Sequence, residues 1–291
     1  VAGAVEVWTV RRVLEWTIEH LKKNGSDTPR LDAEILLAHS RGCPRIQLYV
    51  QYDEELDEQQ RLTMRELVKR RAAHEPVAYL VGKREFFGLD FEVGRGVLIP
   101  RPDTETLVVQ TLAIAKTLAA PRVLELCTGS GCIAVAVAKN CPPALVSTVE
   151  IDSTVCGYAR RNIAKHGLEQ RIELLQGDLC GPVAGREFDI IVSNPPYVPD
   201  GEIATLDPDV RLHEPELALR GGVDGLDVVR RIVHESSAYL VAGGTVLLEI
   251  SSEQAEAVST LFEQHGCFEP ARIAKDLAGK SRVVWTKKKI V

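Results

Sequence analysis

Val123-Leu-Glu-Leu-Cys-Thr-Gly-Ser-Gly-Cys-Ile-Ala134 reads as an apolar strand, a glycine-rich turn and the first turn of a helix. Gly129 and Gly131 permit the tight turn and let a ligand approach the backbone closely. Taken alone, Gly129-x-Gly131-x-x-Ala134 also fits a dinucleotide fingerprint, and Glu150 follows at a suitable distance to bind ribose hydroxyls. A nicotinamide-dependent oxidoreductase is therefore a rival at this point. Two acids separate the readings. Glu125 lies just before the glycines, where a carboxylate suits the cationic amino-acid end of S-adenosylmethionine (AdoMet) and would repel a pyrophosphate. Asp178, in Leu175-Gln-Gly-Asp178, is placed to accept a hydrogen bond from an adenine amino group. Each acid alone is as often a helix cap or a surface charge. The ordered set Glu125, Gly129, Gly131, Glu150 and Asp178 points to a nucleoside cofactor.

Outward from this loop, strands and helices alternate, the pattern of a parallel sheet with crossover helices. Strands are predicted near 122–126, 145–150, 171–176, 188–193, 243–250, 267–274 and 281–287. The helices between them fall near 131–140, 153–166, 224–241 and 252–265. The last two strands follow one another without a helical pattern, which predicts an antiparallel hairpin at one sheet edge. Upstream, the first eighty residues are helical. Val10, Val13, Leu14, Thr17 and Leu21 follow helical spacing. A second helix, about 30–40, offers Leu31, Ile35, Leu36 and His39 on one side and stops at Gly42; a third covers about 57–73. Short helical pieces are expected near 45–50 and 76–81. Glu85-Phe-Phe-Gly-Leu-Asp-Phe-Glu-Val93 suits a β-hairpin, and a helix should run from about Asp103 to Leu118. The expected division is a helical bundle over 1–81, a hairpin linker over 82–99 and an α/β, Rossmann-like seven-stranded domain over 100–291.

Composition sets bounds on function. The 291 residues carry 35 Lys and Arg against 41 Asp and Glu, a net charge of −6, which disfavours a surface given over to nucleic acid. Seven cysteines are scattered and never form Cys-x-x-Cys, so neither a disulfide framework nor a zinc site is expected. No basic-then-apolar leader opens the sequence and no apolar run reaches about 18 residues, so a cytoplasmic protein without a membrane span is expected.

Phe188-Asp-Ile-Ile-Val-Ser193 is an apolar strand, and Asn194-Pro195-Pro196-Tyr197 stands at its carboxyl end, the edge where open parallel sheets bind ligands. The prolines fix the backbone and remove two N–H donors, leaving carbonyl oxygens to face a substrate. Asn194 adds a side-chain acceptor, and Tyr197 an aromatic face for a flat group. Turn chemistry also uses Asn-Pro-Pro. Behind a nucleotide loop on the same sheet, the set suits a single chemical purpose. Two acceptors hold the hydrogens of an NH₂ group while its nitrogen points at an electrophilic methyl. Amide, adenine and guanine nitrogens all remain open on this ground, and the oxidoreductase reading leaves the tetrapeptide unexplained.

Asn-Pro-Pro-Tyr with an Asp/Glu-x-x-Thr-Gly-x-Gly loop resembles the amino methyltransferases. Within them, Leu98-Ile-Pro-Arg-Pro-Asp-Thr-Glu105 resembles the PrmC/HemK family, the protein-(glutamine-N5) methyltransferases of release factors. Glu75-Pro-Val-Ala-Tyr-Leu-Val-Gly82, Arg84-Glu-Phe86, Glu214-Pro215 and Leu247-Leu-Glu249 are further matches, so the resemblance spans essentially the whole chain. It implies an AdoMet site at Cys127, Thr128, Gly129, Ser130 and Gly131 with Glu125, Glu150, Asp178 and Leu179, partly covered by Arg101, Pro102 and Thr104. It implies that Asn194 to Tyr197 hold the acceptor, the glutamine of a release factor's Gly-Gly-Gln motif, with Asn194 also touching the cofactor. A monomer acting on a protein, without nucleic-acid substrate, membrane or metal, is the expectation. The chain departs mildly: Cys127 stands where Gly is commoner, Glu150 is often Asp, and Leu179 replaces an aromatic of some members. A nucleic-acid amino methyltransferase, acting on adenine N6 or guanine N2, is the enzymatic alternative; an inert AdoMet-binding adaptor would be free to lose the tetrapeptide. Arg61, Arg65 and Lys69 recur every four residues, with Arg70 and Arg71 adjacent. This is either a solvated face or a basic stripe that docks an acidic release factor.

Overall fold

A computed structural model describes residues 7–290, which fall into two compact units, 7–83 with 207–213 and 84–206 with 214–290. The first is helical: α1 (Val10–Lys23), α2 (Pro29–Arg41), α3 (Arg45–Val50), α4 (Glu58–Ala72) and α5 (Val77–Val81). Local chemistry marks its ends. Thr9 caps α1 by accepting from Arg12 N, Asp57 and Gln60 form a reciprocal capping box on α4, and Gly42 stops α2 in the left-handed region at φ 63°. Val10, Leu14, Leu36, Leu37, Leu48, Met64 and Leu67 make its core.

One face differs from expectation. In α2, Leu31 and His39 are exposed, whereas Asp32 and Glu34 are buried beside Ala33, Leu36 and Leu37. The two acids are tolerated because each is paired. Asp32 takes Arg71 Nε at 2.7 Å and the Ser26 and Thr28 hydroxyls; Glu34 takes Arg30, Arg45 and the Tyr49 hydroxyl. Arg71 also bonds Asp209 at 2.8 Å and Arg70 is bound by Glu75, so these two belong to the fabric of the unit and not to a binding stripe.

The second unit opens on the hairpin of β1 (Lys83–Phe86) and β2 (Leu89–Glu92), followed by α6 (Glu105–Ala115). Then come β3 (Arg122–Leu126), α7 (Cys132–Asn140), β4 (Leu145–Glu150), α8 (Ser153–Lys165), β5 (Ile172–Gln176) and β6 (Phe188–Ser193). After α9 (Pro208–His213), which belongs to the helical unit, the chain continues as α10 (Asp227–Tyr239), β7 (Leu240–Glu249), α11 (Ala255–His265), β8 (Arg272–Lys275) and β9 (Ser281–Lys287). Within the helical unit, α9 is held by Asp209, which lies against Arg71 and His74, and by His213 at the Ala73 carbonyl.

The seven strands run in the order β5-β4-β3-β6-β7-β9-β8, parallel up to β7, with β9 antiparallel to both β7 and β8. Alternation sends Val123, Val146, Ile190 and Val192 to one face, against α6, α7 and α8, and Leu124, Leu126 and Ile191 to the other, against α10 and α11. Each such fully buried Val, Leu or Ile contributes about 1.5–3 kcal/mol. The result is a three-layer sandwich whose strands β3, β4, β5 and β6 all end at one sheet edge. Among the described residues no helix is long and apolar enough to cross a membrane.

Candidate methyl-transfer site

Beyond the carboxyl ends of those strands lies a cavity of about 210 Å³. The loop after β3 forms its inner wall. Thr128 N donates to Val149 O at 3.2 Å, Gly131 N to Thr128 O at 3.0 Å, and buried Asn162 ties Ser130 O to α8 at 2.9 Å. Gly131 starts α7 at φ 80°, and Gly129, at φ 58°, faces the cavity with open space where a side chain would stand. Cys127 adopts φ 60°, which explains why glycine is the easier residue there; a side chain in that region costs about 1–2 kcal/mol. Burial pushes its thiol up to about 12, so it is no nucleophile.

Glu150 ends β4 with both oxygens engaged by the loop: Oε2 accepts from Gly129 N at 2.9 Å and Oε1 from Asp152 N at 3.1 Å. Burial pushes its carboxyl up, and these backbone donors pull against that. Each oxygen keeps a second lone pair for a hydroxyl. Asp178 is held by Arg231, Nη2 to Oδ2 at 2.8 Å, which leaves Oδ1 as an acceptor. Leu179, Val149, Ile151 and Val155 add apolar lining.

Asn194 and Pro196 reach the cavity from the end of β6. Asn194 Nδ2 donates to Thr104 Oγ1 at 3.3 Å, so the donor end of this amide is turned inward to the protein. Tyr197 is fixed through its backbone: its carbonyl accepts Gln254 Nε2 at 3.0 Å, and Gly225 packs beneath it. Burial pushes the Tyr197 hydroxyl up to about 12, so it stays neutral. Glu214 clamps the approach segment by accepting from Ile99 N at 3.1 Å and pairing with Arg101.

Of the sequence-predicted residues, the cavity wall gathers Cys127, Gly129, Glu150, Asp178, Leu179, Asn194 and Pro196. Thr128, Ser130 and Gly131 shape the loop from behind: Thr128 is bonded to Thr148 and Ser130 is buried. Pro195 is buried, Arg101 and Pro102 do not line the cavity, and Thr104 acts on Asn194. Glu125 stands apart from this wall. Strand alternation sends it to the Val123 face, wholly buried, where Thr148 Oγ1 donates to it at 2.5 Å. Burial pushes its carboxyl up to about 8, so near neutrality it is mostly uncharged. Its other oxygen, Oε1, has no hydrogen-bond partner among the described residues, and the residue does not line the cavity. Sequence reasoning missed Arg231, Gln254, Leu98, Ile151 and Leu217. Leu98 opens the Leu98-to-Glu105 motif, Ile151 follows Glu150 and Leu217 lies just past Glu214-Pro215, whereas Arg231 and Gln254 carry no local signal.

The fold and this site define a methyltransferase. Residues 12–82 match the family model of the PrmC N-terminal domain, and 103–207 that of the methyltransferase small domain. A release factor glutamine methyltransferase of Rhodopirellula baltica is 44% identical, covering 95% of both chains, and one of Geobacter sulfurreducens is 44% identical over 96% of both. A crystal structure of a methyltransferase from Pyrococcus furiosus shares the fold with a TM-score of 0.51 at 21% identity, covering 70% of this chain and 91% of that one. The chain belongs to the release factor glutamine methyltransferase family.

Proposed function

We propose that this chain transfers a methyl group from AdoMet to the side-chain amide nitrogen (N5) of the glutamine in the Gly-Gly-Gln motif of a peptide chain release factor. One observation carries the chemistry. Asn194, on the cavity wall, gives an Nδ2 hydrogen to Thr104 Oγ1, which leaves Oδ1 free to accept. Family membership carries the choice of substrate.

The residues present fit AdoMet. Gly129 leaves a space that any side chain would fill, Glu150 offers lone pairs to ribose hydroxyls, and Asp178 Oδ1 with the apolar floor suits adenine. When bound, AdoMet supplies an electrophilic sulfonium methyl. A glutamine amide nitrogen is a poor nucleophile, because its lone pair is delocalised into the carbonyl. Asn194 Oδ1 and the Pro195 carbonyl accept its two hydrogens and build electron density on nitrogen, and Tyr197 packs on the amide plane. Fixing the nitrogen in line supplies much of the rate, and the same acceptors stabilise positive character as it develops. The tetrapeptide holds no base, so the proton leaves late, to solvent.

Asn194→Ala is expected to abolish transfer to release factor while AdoMet affinity, read by calorimetry, stays nearly unchanged. Near-normal turnover would contradict the assignment. For docking, Arg61, Arg65 and Lys69 line a groove of about 710 Å³ with Trp16, His20 and Leu62 in the helical unit, and its cationic rim suits an acidic face of the factor.

A further inference from the structure

Gln254, the buried residue just before α11, bonds three backbone groups of the second unit. Its Oε1 accepts from Ser251 N at 3.1 Å, and its Nε2 donates to Tyr197 O at 3.0 Å and to Gly225 O at 3.3 Å. A backbone N–H can only donate and a carbonyl can only accept, so one orientation of the amide satisfies all three. Both hydrogens of Nε2 are spent on carbonyls from segments distant in the chain.

Those carbonyls belong to the two parts that methyl transfer must hold at a fixed separation. Tyr197 ends the tetrapeptide, whose prolines have no N–H by which the backbone could be tied. Gly225 stands two residues before α10, and Val228 and Arg231 of α10 line the cavity. The junction has no spare room, because a Cβ on Gly225 would overlap both Tyr197 O and Gln254 Nε2. Just beyond it, Val198 is laced to the same loop. Its N–H donates to Leu219 O at 2.8 Å, and its carbonyl accepts from Gly221 N at 2.8 Å.

We propose that Gln254 is a positioning residue which joins the acceptor-holding tetrapeptide to the turn before α10, and so sets the separation between the methyl acceptor and the cofactor cavity. The proposal rests on the tetrapeptide holding the acceptor. Two substitutions break the junction in different ways. Gln254→Met keeps the length of the side chain and removes both donors, leaving two carbonyls without their partner. In Gln254→Glu one carboxylate oxygen still takes Ser251 N, while the other faces two carbonyl oxygens with no hydrogen between them, which pushes the segments apart.

The experiment measures methylation of intact release factor by wild type, Gln254→Met, Gln254→Glu and the Gln254→Glu/Gly225→Ala double variant. Affinity for S-adenosylhomocysteine is read by calorimetry, and backbone amide exchange is followed in each protein without substrate. Misplacement of the acceptor predicts kcat about tenfold lower in Gln254→Met and about a hundredfold lower in Gln254→Glu, with S-adenosylhomocysteine affinity within about threefold of wild type. Exchange should quicken at Val198 and Gly221, which flank the junction, and not at Gly131, whose N–H bonds Thr128 O in the loop after β3. Both substitutions in the double variant open the same junction, so it should be no worse than Gln254→Glu alone. Wild-type kcat in the single variants, an additive double variant, or exchange quickened equally at Gly131 would overturn the proposal and leave the assigned function standing. A wild-type enzyme that transfers nothing to release factor would overturn both. If Gln254→Glu fails to fold, Gln254→Met decides.

Discussion

Glu125 keeps its place in the motif, yet it is fully buried and does not line the cavity. Its position before the glycines was legible; its direction was not, because that depends on which face of β3 each residue takes. A carboxyl with a folded value of about 8 and an ordinary value of 4.5 keeps a proton in the folded state that the unfolded chain has released. Its contribution to stability is complete below about 4.5 and is lost as pH rises through about 8. Glu125→Gln is expected to flatten the fall in Tm across that window, as read by thermal melts at fixed ionic strength. Glu249 and Glu150, also raised by burial, keep part of the slope. A slope unchanged in the variant would show that Glu125 titrates normally. Cys127 teaches the opposite lesson: its departure from the commoner glycine was visible in sequence, and φ 60° gives the physical reason for the preference.

At the scale of elements, long periodic segments were the most legible. Strands β3, β4 and β6 stand where the apolar runs put them, and the last two strands form the antiparallel edge. Errors arise where distant partners overrule local pattern. Asp32 and Glu34 are buried in α2 because arginines from elsewhere reach them. Gly243-Gly244 reads as the start of a strand, yet β7 begins at Leu240 and passes through both glycines, absorbing them in an irregularity of its ladder with β6. The turn before α10 belongs here too. Gly225 sits at φ 76°, and a Cβ there would lie 2.3 Å from Tyr197 O and 2.7 Å from Gln254 Nε2. Gly225→Ala is therefore expected to displace the tetrapeptide, lowering methyl transfer by about tenfold or more, as misplacement of reacting groups does. AdoMet affinity should change little, and calorimetry beside a turnover assay distinguishes the two. A variant with unimpaired turnover would mean that the backbone yields without moving Tyr197.

For the whole molecule, the pattern changes near residue 82 and the boundary between the two units lies at 83–84, while α9 falls with the helical unit, for which the local sequence carries no signal. The stripe of Arg61, Arg65 and Lys69 is a property at this scale. Replacing all three with glutamate is expected to raise KM for intact release factor about tenfold or more, with kcat little changed and the effect weakening in high salt. Unaltered KM would mark the stripe as a solvated face. The choice of a protein glutamine over a nucleic-acid base rests on family membership and the acidic balance, and one measurement addresses it directly. Intact release factor is incubated with AdoMet and enzyme, digested and examined by mass spectrometry, with transfer RNA and DNA as parallel acceptors. A single added methyl on the Gly-Gly-Gln glutamine, absent with Asn194→Ala, is the predicted result; methyl groups appearing on nucleic acid and none on that glutamine would contradict it.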